Sequence, residues 1–213
     1  MERLEQLRAY MEDKGLDAFF CAKPANVRWI SLYTGEDSFL FITRENQYFI
    51  TDPRYTEQAS YECPAYEIVN WRTSQGYNMG KTLAECGKGQ DIKAIGFEED
   101  YLTYDKWSAI QENCEAELVP TENVIEKFRA VKTPEELYNL RAACEISSRA
   151  FEKILKDIHP GVTEKELASK LSHYMGMEGA DTQPYGGILI SGAKTSLLHG
   201  IPDQKAVEYG DFV

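Results

Sequence analysis

Phe128-Arg129-Ala130-Val131-Lys132-Thr133-Pro134-Glu135-Glu136-Leu137 is where the character of the chain changes. Thr133 reads as a helix cap. Pro134 suits the first helical position, where a missing N–H costs nothing, and Glu136 sits where a capping-box carboxylate reaches back. The helix opened here is expected to run to Ile158, with Leu137, Leu140, Cys144, Phe151 and Leu155 as its apolar contacts. His159-Pro160-Gly161 ends it. Thr163-Glu164-Lys165-Glu166 repeats the capping signature and opens a second amphipathic helix, with Leu167, Leu171 and Tyr174 at helical spacing. Beyond Gly179, Gly187 to Ile190 reads as a strand and Phe212-Val213 as the opening of another.

Upstream of this passage helix and strand signals alternate. Residues 2–14 form a helix pattern with Leu4, Leu7 and Met11 on one face and Gly15 as its stop. Leu16–Cys21, Ser38–Thr43, Tyr48–Thr51, Tyr66–Trp71, Ala94–Glu98 and Glu117–Val119 read as strands. Asn26 is expected to cap a brief helix carrying Val27, Trp29 and Ile30, and Asp52-Pro53 to start another; further helices fall around 74–85 and 103–114. The alternation predicts an α/β domain with a buried, mixed sheet over residues 1–128. Residues 129–213 then hold two helices and one or two strand starts, too few to close a core of their own, so the chain reads as a fragment of a longer protein.

The bulk numbers fit a soluble globular chain of 213 residues, 43% hydrophobic and 27% charged. A net charge of −12, from 35 acidic and 23 basic residues, argues against nucleic acid and against an anionic membrane surface as partners. No apolar run approaches the length that spans a bilayer, and the N-terminus lacks a signal-peptide core. Five widely spaced cysteines form no metal-ligand spacing and cannot all pair within one chain, which suits reduced thiols in a cytoplasm.

Several segments, in order, resemble the creatinase, aminopeptidase P and prolidase family. Asn26-Val27-Arg28-Trp29-Ile30-Ser31-Leu32-Tyr33-Thr34-Gly35 resembles its early N-domain segment, and Thr51-Asp52-Pro53-Arg54-Tyr55 its Asp-x-Arg-Tyr corner. Ile95-Gly96-Phe97-Glu98 is similar to a later strand, and the passage from Phe128 to Leu137 to the interdomain segment. Pro160-Gly161-Val162-Thr163-Glu164, and Gly179 through Ser191-Gly192 to Leu198-His199-Gly200, resemble the start of the catalytic domain, with Leu198 where Pro is common. The resemblance implies a creatinase-type N-terminal domain followed by an incomplete α+β pita-bread catalytic domain. It also implies hydrolysis of the bond before proline in short peptides, two divalent metal ions (Mn, Co or Zn) and a homodimer. Of the family's active-site positions only His199 is carried over, as a group that contacts substrate or stabilises the tetrahedral intermediate. The metal ligands of the family have no counterpart in this sequence, so residues 1–213 alone are expected to be inactive. His199 is equally compatible with a non-catalytic, peptidase-like binding protein and with a metal-free creatinase-like hydrolase.

Other candidates read as structural. His159 at a helix end can face the last carbonyls and the negative end of the dipole, and His173 lies on an exposed helix face. Asp52 is explained as a cap, Arg54 as the anchor of a carboxylate or an oligomer contact, and Glu98-Glu99-Asp100 as a solvated loop. Gly186, Gly187 and Gly192 form no dinucleotide fingerprint.

Overall fold

Leu4, Leu7 and Met11 are all buried along α1 (Glu2–Lys14), and Gly15 takes the left-handed conformation that ends it (φ 67°). The computed structural model describes residues 2–73, 76–182 and 187–213. The chain divides into two compact units, residues 1–131 and 132–213.

In the first unit β1 (Ala18–Cys21), α2 (Pro24–Ser31), β2 (Ser38–Thr43), β3 (Gln47–Thr51), α3 (Thr56–Glu62), β4 (Glu67–Asn70), β5 (Arg72–Thr73) and β6 (Gly76–Tyr77) follow α1. Then come α4 (Met79–Cys86), β7 (Ala94–Glu98), α5 (Tyr104–Asn113), β8 (Glu117–Thr121) and α6 (Val124–Ala130). Six strands form one sheet in the order β4-β3-β2-β1-β7-β8. β1 pairs antiparallel with β2 and parallel with β7, so the sheet is mixed, as the alternation of elements predicts.

Both faces of the sheet are covered. Phe19, Cys21, Leu40, Ile42 and Phe49 point to one side, where α1, α2, α3 and α6 bring Leu7, Val27, Ala59 and Ile125. Phe20, Phe41 and Ile50 point to the other, against Met79 and Leu83 of α4 and Ile110 of α5. Successive residues of a strand face opposite ways, so continuous apolar runs such as Phe39-Leu40-Phe41-Ile42 suit a strand buried on both sides. Full burial of each such Phe contributes about 1.5–3 kcal/mol.

The structure corrects several local expectations. Asn26 lies inside α2 rather than at its cap, and Lys23 holds the cap position. Asp52 does not start a helix: its Oδ1 accepts from the Arg54 N–H at 2.8 Å, closing a turn, and α3 begins only at Thr56. Where a helix is expected over 74–85, β5 and β6 pair first and α4 occupies Met79–Cys86; Ser74 and Gln75 lie outside the described residues. α6, absent from the sequence reading, starts from Asn123 in the left-handed region (φ 53°).

The second unit opens with α7 (Pro134–Ile154), which carries the full capping box: Thr133 Oγ1 accepts from the Glu136 N–H and Glu136 Oε2 accepts from the Thr133 N–H. It ends four residues before Ile158. Its buried positions are Ala150 and Ile154, whereas Leu137, Leu140, Cys144, Phe151 and Leu155 are exposed. α8 (Glu164–Met177) has the second capping box, Thr163 with Glu166, as its sequence signature predicts. Ile154, Val162, Leu167, Leu189 and Val207 form this unit's small core. Gly187–Ile190 and Phe212-Val213 form no strand; the Phe212 carbonyl accepts from the Gly192 N–H at 2.9 Å, but no ladder continues from that bond. No helix of the described residues is long and apolar enough to cross a membrane.

Candidate active site

His199 follows the 3-10 turn Gly192–Ser196 on an exposed loop, with Leu198 86% and Ile201 79% exposed beside it. Its imidazole has no hydrogen-bond partner among the described residues, which leaves both ring nitrogens open to a ligand. The loop beneath it is braced from three directions. At Gly200 a Cβ would lie 2.8 Å from Ile190 Cδ1, so the absent side chain lets the backbone settle on the core. At Gly192 (φ 60°) a Cβ would lie 2.6 Å from Asp211 Oδ1, and its N–H donates to the Phe212 carbonyl at 2.9 Å.

The third brace is Glu164. As the first residue of α8 it looks from sequence like one more acid in a helix N-terminal turn, but its side chain turns inward and is fully buried. Oε1 accepts from the Ser191 N–H (2.7 Å) and hydroxyl (3.0 Å). Oε2 accepts from Lys194 Nζ (2.7 Å) and the Asp203 N–H (3.3 Å). Burial alone would raise the Glu164 carboxyl, but the Lys194 ammonium and the Ser191 and Asp203 amides outweigh it and hold the carboxyl below its usual range. Lys205 Nζ adds bonds to Ser191 Oγ (2.9 Å) and Asp211 Oδ2 (2.8 Å). Ser191 is therefore clamped between a carboxylate and an ammonium, and the turn that leads to His199 starts from a fixed point. Sequence reasoning misses Glu164, since its partners lie 27 to 39 residues away.

The remaining candidates separate. His159 Nδ1 lies 3.1 Å from the Pro160 carbonyl oxygen rather than at the helix end, because α7 stops five residues earlier. His173 is exposed and lies against Tyr174, as expected of a surface residue. Arg54 does anchor carboxylates, meeting both oxygens of Asp52 at 3.0 Å and Asp37 Oδ2 at 2.7 Å. With the Arg54 guanidinium as the largest cause, Asp52 is held down at about 2.

Glu98 is not in a solvated loop. It is buried at the end of β7, where Oε2 accepts from the Ala22 and Lys23 N–H groups (both 2.7 Å) and Oε1 from Asn26 Nδ2 (2.6 Å). Asn26 Nδ2 also reaches Glu126 Oε1 at 2.7 Å, and Arg129 Nη1 donates to Asn26 Oδ1 at 2.7 Å. Both Glu98 oxygens and both ends of the Asn26 amide are engaged within this cluster, so it holds α2 and α6 against the sheet. The described residues bring together no three His, Cys, Asp or Glu side chains able to hold a metal ion. Gly186 lies outside them.

Residues 3–131 match the Creatinase/Prolidase N-terminal domain, and residues 138–213 match metallopeptidase family M24. The chain belongs to the creatinase/prolidase family. It is 36% identical over 214 residues to an uncharacterized peptidase, YqhT, of Bacillus subtilis, covering 99% of this chain and 59% of that protein. It is 28% identical to the Xaa-Pro dipeptidase of Pyrococcus furiosus, covering 100% and 59%. Among solved structures, the Xaa-Pro dipeptidase from Bacillus anthracis superposes with a TM-score of 0.90 at 37% identity, over 100% of this chain and 59% of that one. The X-Pro aminopeptidase from Thermotoga maritima gives 0.85 at 29% identity, over 98% and 58%. The chain thus spans somewhat under three fifths of the length of these relatives. In this creatinase/prolidase chain the first unit is the family's N-terminal α/β domain, and the second is the opening part of its pita-bread domain.

Proposed function

We propose that the whole protein is a metal-dependent Xaa-Pro dipeptidase or aminopeptidase of the cytoplasm, hydrolysing the bond between an N-terminal residue and proline in short peptides. The observation that carries this reading is the match, in order and over essentially the whole chain, to Xaa-Pro dipeptidases. Residues 1–128 form the domain that shapes access and contributes to a homodimer, and residues 129–213 begin the catalytic domain. Two divalent ions, Mn, Co or Zn, would generate the nucleophilic hydroxide when bound. On this reading residues 1–213 alone do not hydrolyse peptides.

What this chain supplies is the His199 imidazole, without a hydrogen-bond partner among the described residues and carried on a loop fixed by Gly200, Gly192 and the Glu164–Ser191–Lys205 clamp. Such a group can donate to a developing oxyanion at little reorganisation cost. The test is steady-state hydrolysis of Xaa-Pro peptides by the full-length protein with each metal. The His199→Ala variant is expected to lose about 10²–10³-fold in kcat with KM little changed. Full-length protein inert with all three metals refutes the activity; an active protein indifferent to His199→Ala refutes the residue's role.

A further inference from the structure

At the centre of the first unit's sheet, adjacent parallel strands send the chain in opposite directions. β1 leads into α2 on the face packed by α1, α3 and α6, and β7 leads into α5 on the face packed by α4. This is a topological switch point, where two diverging connections leave a crevice outside the carboxyl ends of the strands. A cleft of about 660 Å³ occupies that position, well within the range of small-ligand sites. It is lined by Ala22 and Pro24 after β1, Gly35 to Asp37 before β2 and Ser38 and Phe39 at its start, and Tyr101 to Thr103 with Lys106 after β7.

The lining has a defined chemistry. Phe39 is stacked on Phe20 (5.8 Å) and met edge-on by Trp71 (5.5 Å), so its ring offers an apolar wall already fixed in place. Lys106 lies 5.9 Å from that ring and donates to the Thr103 hydroxyl (3.4 Å); no carboxylate is in ion-pair contact with it among the described residues, although its charge, after the Thr103 hydroxyl, helps hold the adjacent Asp105 carboxyl below its ordinary range. Glu36, on the loop before β2, is exposed and has no hydrogen bond or ion pair among the described residues. The neighbouring acids are engaged: Asp37 with Arg54, and Asp100 with Lys23. One cation and one anion, on different elements, thus share an aromatic cleft, and neither is closed into an ion-pair contact among the described residues.

We propose that this cleft binds a short zwitterionic peptide, with Lys106 receiving its carboxylate, Glu36 its amino group, and Phe39, Tyr101 and Leu102 its apolar side chains. The site stands on its own lining and holds whether or not the whole protein is a peptidase.

The test is titration of the uniformly ¹⁵N-labelled 213-residue chain with leucyl-leucine, followed by amide chemical shifts. The probe contains no proline and so separates this site from the proposed hydrolysis. Saturable shifts are expected at Ala22, Gly35 to Phe39 and Tyr101 to Lys106. N-acetylation or C-terminal amidation should each weaken binding about threefold or more, the scale of one half-exposed ion pair. Lys106→Met keeps the aliphatic stem and should make the free peptide and its amide bind alike. Glu36→Gln should do the same for the free and acetylated forms. No shifts in these segments at about 10 mM, the weak end of specific binding, overturns the proposal. So does binding indifferent to both caps or to both variants.

Discussion

Replacing Glu98 by Gln changes one atom's chemistry in a nearly isosteric side chain, and the structure predicts a large effect. Oε2 accepts two backbone N–H groups at 2.7 Å and Oε1 accepts Asn26 Nδ2 at 2.6 Å, so all three main partners are donors. A glutamine can turn only one oxygen to them. If it serves Ala22 and Lys23, its NH₂ faces the Asn26 NH₂, and Asn26 cannot flip because its oxygen is held by Arg129. One charge-assisted bond is then lost and one buried donor left unpaired, for a combined cost of about 2–4 kcal/mol. In urea, with a slope of about 1–3 kcal/mol per molar, the unfolding midpoint of the first unit should fall by roughly 1–2 M. Fluorescence of Trp29, packed against the core that α2 and α6 share, reports it. Burial raises the Glu98 carboxyl, and the bonds from Asn26, Lys23 and Ala22 only partly offset that. A raised folded-state value means the contribution of Glu98 is full at low pH and fades as pH climbs through that value. The gap between wild type and Glu98→Gln should therefore be wider at mildly acidic pH than at neutral pH. A variant within about 0.5 kcal/mol of wild type, the scatter of neutral surface changes, refutes the donor-only reading of the cluster.

Asn26→Asp removes both donated bonds and sets a third carboxylate beside Glu98 and Glu126; a loss of about 3 kcal/mol or more in the same urea assay is expected. Gly80→Ala places a Cβ 1.8 Å from the Ala109 carbonyl oxygen, so α4 and α5 must part; thermal unfolding should show a cost of about 2–4 kcal/mol. Asp52 is held at about 2, so its contribution is present above the unfolded value and lost as pH falls through about 2. Its carboxyl ¹³C titration should show that midpoint in wild type and a rise toward the ordinary range in Arg54→Met. Cys144 is exposed while burial raises the Cys21, Cys63 and Cys86 thiols, so a thiol reagent followed by peptide mapping should label Cys144 first.

The sheet was largely legible in the sequence because its strands are dense apolar runs bounded by polar turns, and both capping boxes could be read from local spacing. What local patterns miss are partners far along the chain. Asn26 looks like a cap until Glu98, Glu126 and Arg129 are brought to it. Asp52 resembles a helix start because a cap and a turn use the same short carboxylate geometry. α6 begins at a left-handed Asn, a start signal that composition does not distinguish from a loop. In α7 the regular leucines suggest a buried face, yet among the described residues the core takes only Ala150 and Ile154. His199 stood out only through resemblance to a family, and the clamp beneath it was invisible because Glu164 reads as an ordinary first-turn acid.

The pairing of β1 has a consequence for how the protein is made. Its antiparallel neighbour, β2, leaves the ribosome soon after it, but its parallel neighbour, β7, pairs Ala18 with Ile95. At synthesis rates of about 5–20 residues per second, the nascent chain carries this strand, with Phe19 and Phe20, open on one edge for roughly 4–15 s. Hydrophobic collapse is far faster than that, so the emerging chain must hold a half-built sheet with its central edge bare. The central strand of the finished domain is thus the exposed edge of the unfinished one, and factors that shield nascent chains would act there first.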